Sequence, residues 1–160
     1  MNLFGFEVDV LFLVQNNVVV AYGWHFDKDK ARNHLERIKE YHSLEGRIIE
    51  SESLEAWLEE RLRGVVVEGE KFNFPDIGYT NRKVYERIIE IPRGKVTTYS
   101  EIARLSGVRF TEMLVTLMRN PFQVLIPCHR LLTSKGALMG FYPLGTRVKR
   151  KLLELEGTSI

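Results

Sequence analysis

The chain has 160 residues, enough to bury a real core as one domain or two small ones, and its single cysteine excludes an intramolecular disulfide. No window approaches the roughly 18 apolar residues of a membrane span, and Met1-Asn2-Leu3-Phe4-Gly5 has neither the basic flank nor the apolar run of a signal peptide, so a soluble, cytoplasmic protein in a reducing compartment is expected. The net charge of +2 conceals a division: residues 1 to 80 carry 9 Lys+Arg against 15 Asp+Glu, a net of −6, and residues 81 to 160 carry 14 against 6, a net of +8. The second half is a candidate polyanion binder. Charge alone leaves ordinary clustering on solvated helices equally open. Glutamine occurs only at positions 15 and 123 among abundant Glu, Lys and Arg, a lean toward a heat-adapted source.

Phe6 to Leu13 and Val18 to His25 are β-rich runs around the polar turn Gln15-Asn16-Asn17, so the chain opens as a hairpin. Asp27 to Leu44 reads as a charged helix with Leu35 and Ile38 inward, ended by Gly46 before a short strand at Arg47 to Glu50. Ser51 can cap a second helix, with Glu52 and Glu55 suited to its first turn and Leu54, Trp57, Leu58 and Leu62 on one face. Lys71 to Gly78, with Pro75, is the candidate linker and coincides with the change of charge sign.

Beyond it, Thr80 or Asn81 caps a helix whose Val84, Ile88 and Ile91 share a face, stopped at Pro92 and followed by the turn Arg93-Gly94 and a β-rich Lys95 to Tyr99. Ser100 to Ser106 is a short helix closed by Gly107. Phe110, Met113, Leu114, Leu117 and Met118 then recur at helical spacing, predicting an amphipathic helix that ends at Asn120-Pro121. Two short helices around a tight Gly turn form a helix-turn-helix candidate, a pattern that any helical pair can show.

Phe122 to Ile126 is an apolar run, read as a strand, cut by Pro127 and followed at once by Cys128, His129 and Arg130. A lone cysteine is usually inert packing. Here the flanking His129 and Arg130 predict a thiolate-favouring setting with a pKa below that of a free thiol, which a nucleophile requires. Local chemistry by itself leaves packing and nucleophile both open.

Pro127-Cys128-His129-Arg130 after the apolar run, Asn120-Pro121, the helix-turn-helix, Gly94-Lys95-Val96-Thr97-Thr98-Tyr99 and the closing Leu152-Leu153-Glu154-Leu155-Glu156-Gly157 together resemble the O6-alkylguanine-DNA alkyltransferases, or methylated-DNA:protein-cysteine methyltransferases. The resemblance runs from about Thr80 to Gly157, half the chain; residues 1 to 79 match only in outline. It implies an α/β fold with a small RNase H-like N-terminal domain, residues 1–79, followed by a mostly helical, winged-helix-like helix-turn-helix domain, residues 80–160. It also implies a monomer that acts on double-stranded DNA containing O6-alkylguanine, flips the base and takes its alkyl group irreversibly, with no cofactor. Cys128 would be the acceptor, His129 polarised by Glu156 would deprotonate it through a water, and Asn120 would brace the loop. Tyr99, Leu131 and Tyr142 would meet the substrate, with Tyr99 donating toward guanine N3. Thr111, Glu112, Val115, Arg119 and Arg130 would meet DNA. One cysteine and scattered His25, His34 and His42 give no zinc spacing.

The chain departs from the family in two places. Members usually read Arg-Ala-Val-Gly-x-Ala where this chain reads Thr111-Glu112-Met113-Leu114-Val115-Thr116, so the cationic finger that fills the gap left by the flipped base is replaced by a short neutral side chain. Pro143 stands where a serine commonly offers a backbone N–H toward O6, and proline has none. Two other readings therefore stand beside alkyl transfer: a non-catalytic lesion-binding homologue with a degraded recognition helix, and an alkyl acceptor for a different substrate. Retention of Cys128, His129, Asn120 and Tyr99 favours chemistry over the first of these.

Overall fold

The computed structural model describes residues 1–158. Its elements are mixed α and β. Strands β1 (Asn2–Leu3) and β2 (Phe6–Glu7) pair with each other, so the predicted first strand is broken at Val8 and its long part, β3 (Asp9–Gln15), pairs antiparallel with β4 (Val18–His25). The turn between them holds Asn16 and Asn17 at φ 51° and 64°, the left-handed region that a tight hairpin demands and that asparagine tolerates. Helix α1 (Lys28–Tyr41) starts on Asp27, whose carboxylate accepts from Lys30 N at 2.8 Å. It lies against β4 at Gly23, where an added Cβ would fall 2.6 Å from Leu35 Cβ, so only glycine permits that approach. Strand β5 (Arg47–Ile49) completes the order β4-β3-β5, and Ser51 caps α2 (Glu52–Val66) through Leu54 N.

Residues 71–76 cross without helix or strand to α3 (Arg82–Ile89), whose Val84, Tyr85 and Ile88 are buried. Thr98 caps α4 (Tyr99–Ser106) through Glu101 N, and Gly107 closes it at φ 70° before α5 (Phe110–Met118). Strand β6 (Thr97–Thr98) pairs in parallel with β7 (Leu131–Leu132). A last helix, α6 (Thr146–Leu155), was not expected from the sequence, although its buried Val148, Leu152 and Leu153 fall at helical spacing.

Two further expectations are corrected. The run Phe122 to Ile126 is an irregular loop with one bridge between Gln123 and Ile126, and Val124 sits at φ 79°. Its backbone is bonded within the loop and to its neighbours: Ile126 N donates to Phe122 O at 2.8 Å and Gln123 O accepts from the Tyr22 hydroxyl, while the preceding Pro121 O accepts from Tyr22 N at 2.9 Å at the open edge of β4. On α5 the buried positions are Met113 and Thr116, while Phe110 and Met118 are exposed. The Thr116 hydroxyl donates to Glu112 O at 2.9 Å and accepts from Asn81 Nδ2 at 3.0 Å and from Tyr41 at 2.8 Å, so a polar network turns the helix. One cluster of buried apolar side chains runs from Leu3 through to Leu152, joining the first half of the chain to the second.

Candidate active site

Pro127, at φ −80° and ψ 63°, makes an inverse γ-turn in which Cys128 N donates to Ile126 O at 2.7 Å, and Cys128–Arg130 then form one 3-10 turn. The thiol is thereby held at the wall of a cavity of about 270 Å³ lined by Tyr99, Leu114, Leu117, Met118, Gln123, Met139, Gly140, Phe141 and Tyr142. The cavity is mostly apolar, with the sulfur and a few polar atoms on its walls, as expected of a site that excludes water from a reacting group. Asn120 spans the loop: Phe122 N donates to its Oδ1 at 2.9 Å, and its Nδ2 donates to Ile126 O at 3.0 Å and to Cys128 Sγ at 3.4 Å.

On one side of the turn, His129 Nε2 lies 3.1 Å from Glu156 Oε1, and both side chains are buried. Among the described residues His129 Nδ1 has no hydrogen-bond partner. Arg130 Nε donates to both Glu156 oxygens at 3.0 and 3.2 Å, its Nη2 donates to Oε2, and its Nη1 donates to Ile91 O at 2.7 Å. Burial works against a charge on Glu156, yet the bonds from His129 and Arg130 outweigh it and hold the carboxyl below its usual range. Burial pushes His129 down against the pull of Glu156.

On the other side, Lys149 is fully buried and donates from Nζ to Tyr99 Oη at 2.6 Å and to Met139 O at 3.3 Å, with the Tyr99 hydroxyl donating to the same carbonyl at 3.3 Å. Desolvation lowers the Lys149 ammonium to about 8, although a negative charge on Cys128 would raise it. Burial, and then the Cys128 charge, push Tyr99 above the ordinary phenol range, so it keeps its proton at neutral pH.

The expected acidic thiol is corrected. Burial raises Cys128, and the side chains opposing that rise are Asn120 by a hydrogen bond, Lys149 by its charge and Gln123 by a hydrogen bond, not His129 or Arg130. Arg130 is also corrected as a DNA contact: at 3% exposure its guanidinium is committed to Glu156 and to the carbonyls of Ile91 and Val65. Leu131 is corrected as a pocket residue, because it is the buried β7 partner of Thr97 and does not line the cavity. Thr111 and Val115 are exposed on α5. Glu112 is exposed and accepts from Asn81 Nδ2 at 3.2 Å, and Arg119 ends the helix with its carbonyl accepting from His42 Nε2 at 2.8 Å. Lys149 and Gln123 are contributors that no motif reveals. A lone glutamine inside an apolar run is the one available hint, since a polar group buried there needs partners.

Residues 80–158 match the family described as 6-O-methylguanine DNA methyltransferase, DNA binding domain. Over these residues, about half of the chain, it is similar to the 6-O-methylguanine DNA methyltransferase family. The methylated-DNA--protein-cysteine methyltransferase of Methanothermobacter thermautotrophicus is 43% identical over 79 residues, 49% of this chain and 44% of that protein. That of Metallosphaera sedula is 39% identical over 99 residues, 58% and 62% of the two chains. The matched stretch thus spans about half the length of such curated relatives. The whole fold is shared with the crystal structure of O6-methylguanine-DNA methyltransferase from the hyperthermophilic archaeon Pyrococcus kodakaraensis, with a TM-score of 0.70 at 22% identity over 93% of this chain and 92% of that one. A second methyltransferase-family structure, the Mycobacterium tuberculosis OGT in complex with DNA, gives a TM-score of 0.55 at 28% identity over 63% of this chain and 66% of that one.

Proposed function

We propose that this protein takes an alkyl group from O6-alkylguanine in duplex DNA onto Cys128 Sγ, once per chain. The observation that carries the reading is the thiol at the wall of an apolar cavity that Tyr99 also lines, with Lys149 bonded to Tyr99 and the buried His129–Glu156 pair following Cys128 in the chain. With Glu156 holding Nε2, His129 offers Nδ1 to accept the thiol proton through a water, and Glu156 stabilises the imidazolium that results. The sulfur attacks the alkyl carbon in line, the S–C bond forms as the C–O6 bond breaks, and the electron pair moves into the guanine ring. Tyr99 delivers a proton to N3, and the neighbouring Lys149 ammonium stabilises the phenolate left behind. The product thioether has no low-barrier route back to a thiol, which makes the reaction a single turnover.

In this reading residues 80–160 are the DNA-binding and active-site domain, with α4 and α5 as a winged-helix-like helix-turn-helix and β6–β7 beside them. Residues 1–79 are an RNase H-like unit built on β4-β3-β5 with α1 and α2. The protein acts as a monomer in the cytoplasm, and its +8 half faces DNA. No helix among the described residues is long and apolar enough to cross a membrane. Incubation with a duplex carrying O6-methylguanine is expected to leave one methyl group on the peptide containing Cys128 and none on Cys128→Ser. Methyl found elsewhere in the chain, or an unmodified wild-type protein, contradicts the assignment.

A further inference from the structure

The cavity has one wall that neither the thiol turn nor the recognition helix supplies: the segment Met139 to Tyr142, in the connection between β7 and α6. This segment has little regular structure, so something else must fix it. Its start is held at Met139 O, which accepts from Tyr99 and Lys149. Its end is held at Tyr142 O, which accepts from Gln123 Nε2 at 2.6 Å. The other end of the same amide faces the N-terminal half of the chain, where Gln123 Oε1 accepts from the indole Trp24 Nε1 at 2.7 Å. Gln123 O in turn accepts from the Tyr22 hydroxyl. Gln123 is 3% exposed and Trp24 fully buried, so water does not compete for these bonds. The support extends behind Trp24: its backbone N donates to His34 Nδ1 at 3.2 Å, and the His34 ring meets the Tyr142 ring edge-on at 5.6 Å between centroids.

We infer that Gln123 is a positioning residue through which the N-terminal α/β unit sets the substrate wall, by the path Trp24 to Gln123 to the Tyr142 carbonyl. The inference deepens the alkyl-transfer reading and rests on it for its kinetic consequence, but not for its structural one. A primary amide is the side chain this position requires, since it must accept from an indole N–H and donate to a carbonyl at once. Leucine does neither. Ionised glutamate keeps the acceptor for Trp24 but has no proton to donate to Tyr142 O. Because an in-line displacement depends on the distance between sulfur and alkyl carbon, a wall displaced by about 1 Å should slow transfer by about a hundredfold.

The test uses the full chain as wild type, Gln123→Leu and Trp24→Phe, each first checked for cooperative thermal unfolding. Trp24→Phe is the decisive variant, because it touches neither the cavity nor the thiol. Hydrogen exchange of residues 133–145 is read alongside single-turnover methyl transfer as a function of duplex concentration, and the rate of Cys128 alkylation by iodoacetamide. The expected result for Trp24→Phe is at least about tenfold faster exchange confined to that segment, a slower saturating transfer rate with unchanged half-saturating DNA, and unchanged iodoacetamide reactivity. Gln123→Leu should also slow transfer, since it loses the donor to Tyr142 O, but it changes thiol reactivity as well because Gln123 hydrogen-bonds to Cys128. Wild-type exchange in a folded Trp24→Phe overturns the inference, as does exchange raised evenly over the whole chain. If wild type transfers no methyl at all, the alkyl-transfer reading has failed, and the exchange measurement still decides the bridge.

Discussion

At the level of single residues, the candidate chemistry legible in the sequence was that carried by chain neighbours or by motifs of the family resemblance, such as Tyr99 and Glu156. Cys128, His129 and Asn120 lie close together in the chain, and their pattern marked a candidate nucleophile and its setting, which local chemistry alone left open. Lys149 and Gln123 could not be read, because their partners Tyr99 and Trp24 are 50 and 99 positions away. The error over thiol acidity has a physical source: adjacency in sequence says nothing about direction, and the 3-10 turn sends Arg130 into Glu156 and away from the sulfur. With burial the largest influence, alkylation of Cys128 by iodoacetamide should show an inflection above that of a free thiol, whose pKa is about 8.5. Lys149→Met removes the opposing charge and should move it higher still. An inflection below that of a free thiol in the wild-type protein contradicts the electrostatics described.

Most elements were legible, down to Ser51 as a helix cap and Gly107 as a stop, while Asp27, read as the first helical residue, caps α1. The inward face of α5 was not. Its apolar spacing predicted an amphipathic helix without saying what the apolar face meets: Leu114, Leu117 and Met118 line the cavity, and the inner side is fixed by the Thr116 hydroxyl network. Periodicity reports that a helix has an apolar face without reporting what covers it. Exposed Thr111 leaves the outer face short of a cation. Thr111→Arg should tighten duplex binding and steepen the dependence of log K on log salt by about 0.9 if it reaches a phosphate. It should speed transfer from duplex more than transfer from a free alkylated base, because only the duplex demands extrusion, which costs a few kcal/mol. Fluorescence anisotropy over a salt series, with both transfer rates, checks this; equal gains on both substrates would place Thr111 outside the extrusion step.

For the molecule as a whole, the sequence showed two halves of opposite charge, and the structure adds what joins them: buried histidines and the apolar cluster that runs through both. His42 Nδ1 accepts from Thr80 N at 3.0 Å while its Nε2 donates to Arg119 O, which fixes a neutral ring. Burial lowers His42 to about 4 and His34 to about 3. Below the unfolded value near 6.5 the unfolded chain binds protons that the folded one refuses, so stability falls as pH drops from 6.5 toward 4 and then 3. Each histidine contributes about 1.4 kcal/mol per pH unit within its window, and Glu156, held low, adds loss in the same direction below its unfolded value. Urea unfolding between pH 7 and pH 4 should show the decline, shallower in His34→Gln; a flat profile contradicts the buried neutral rings. The central claim is that one thiol per chain is consumed by one alkyl group. It is tested most directly by titrating a fixed amount of protein with excess O6-methylguanine duplex and counting repaired bases after the reaction stops. The account predicts one repaired base per chain and none after a second addition of substrate, whereas repair continuing beyond one per chain would contradict it.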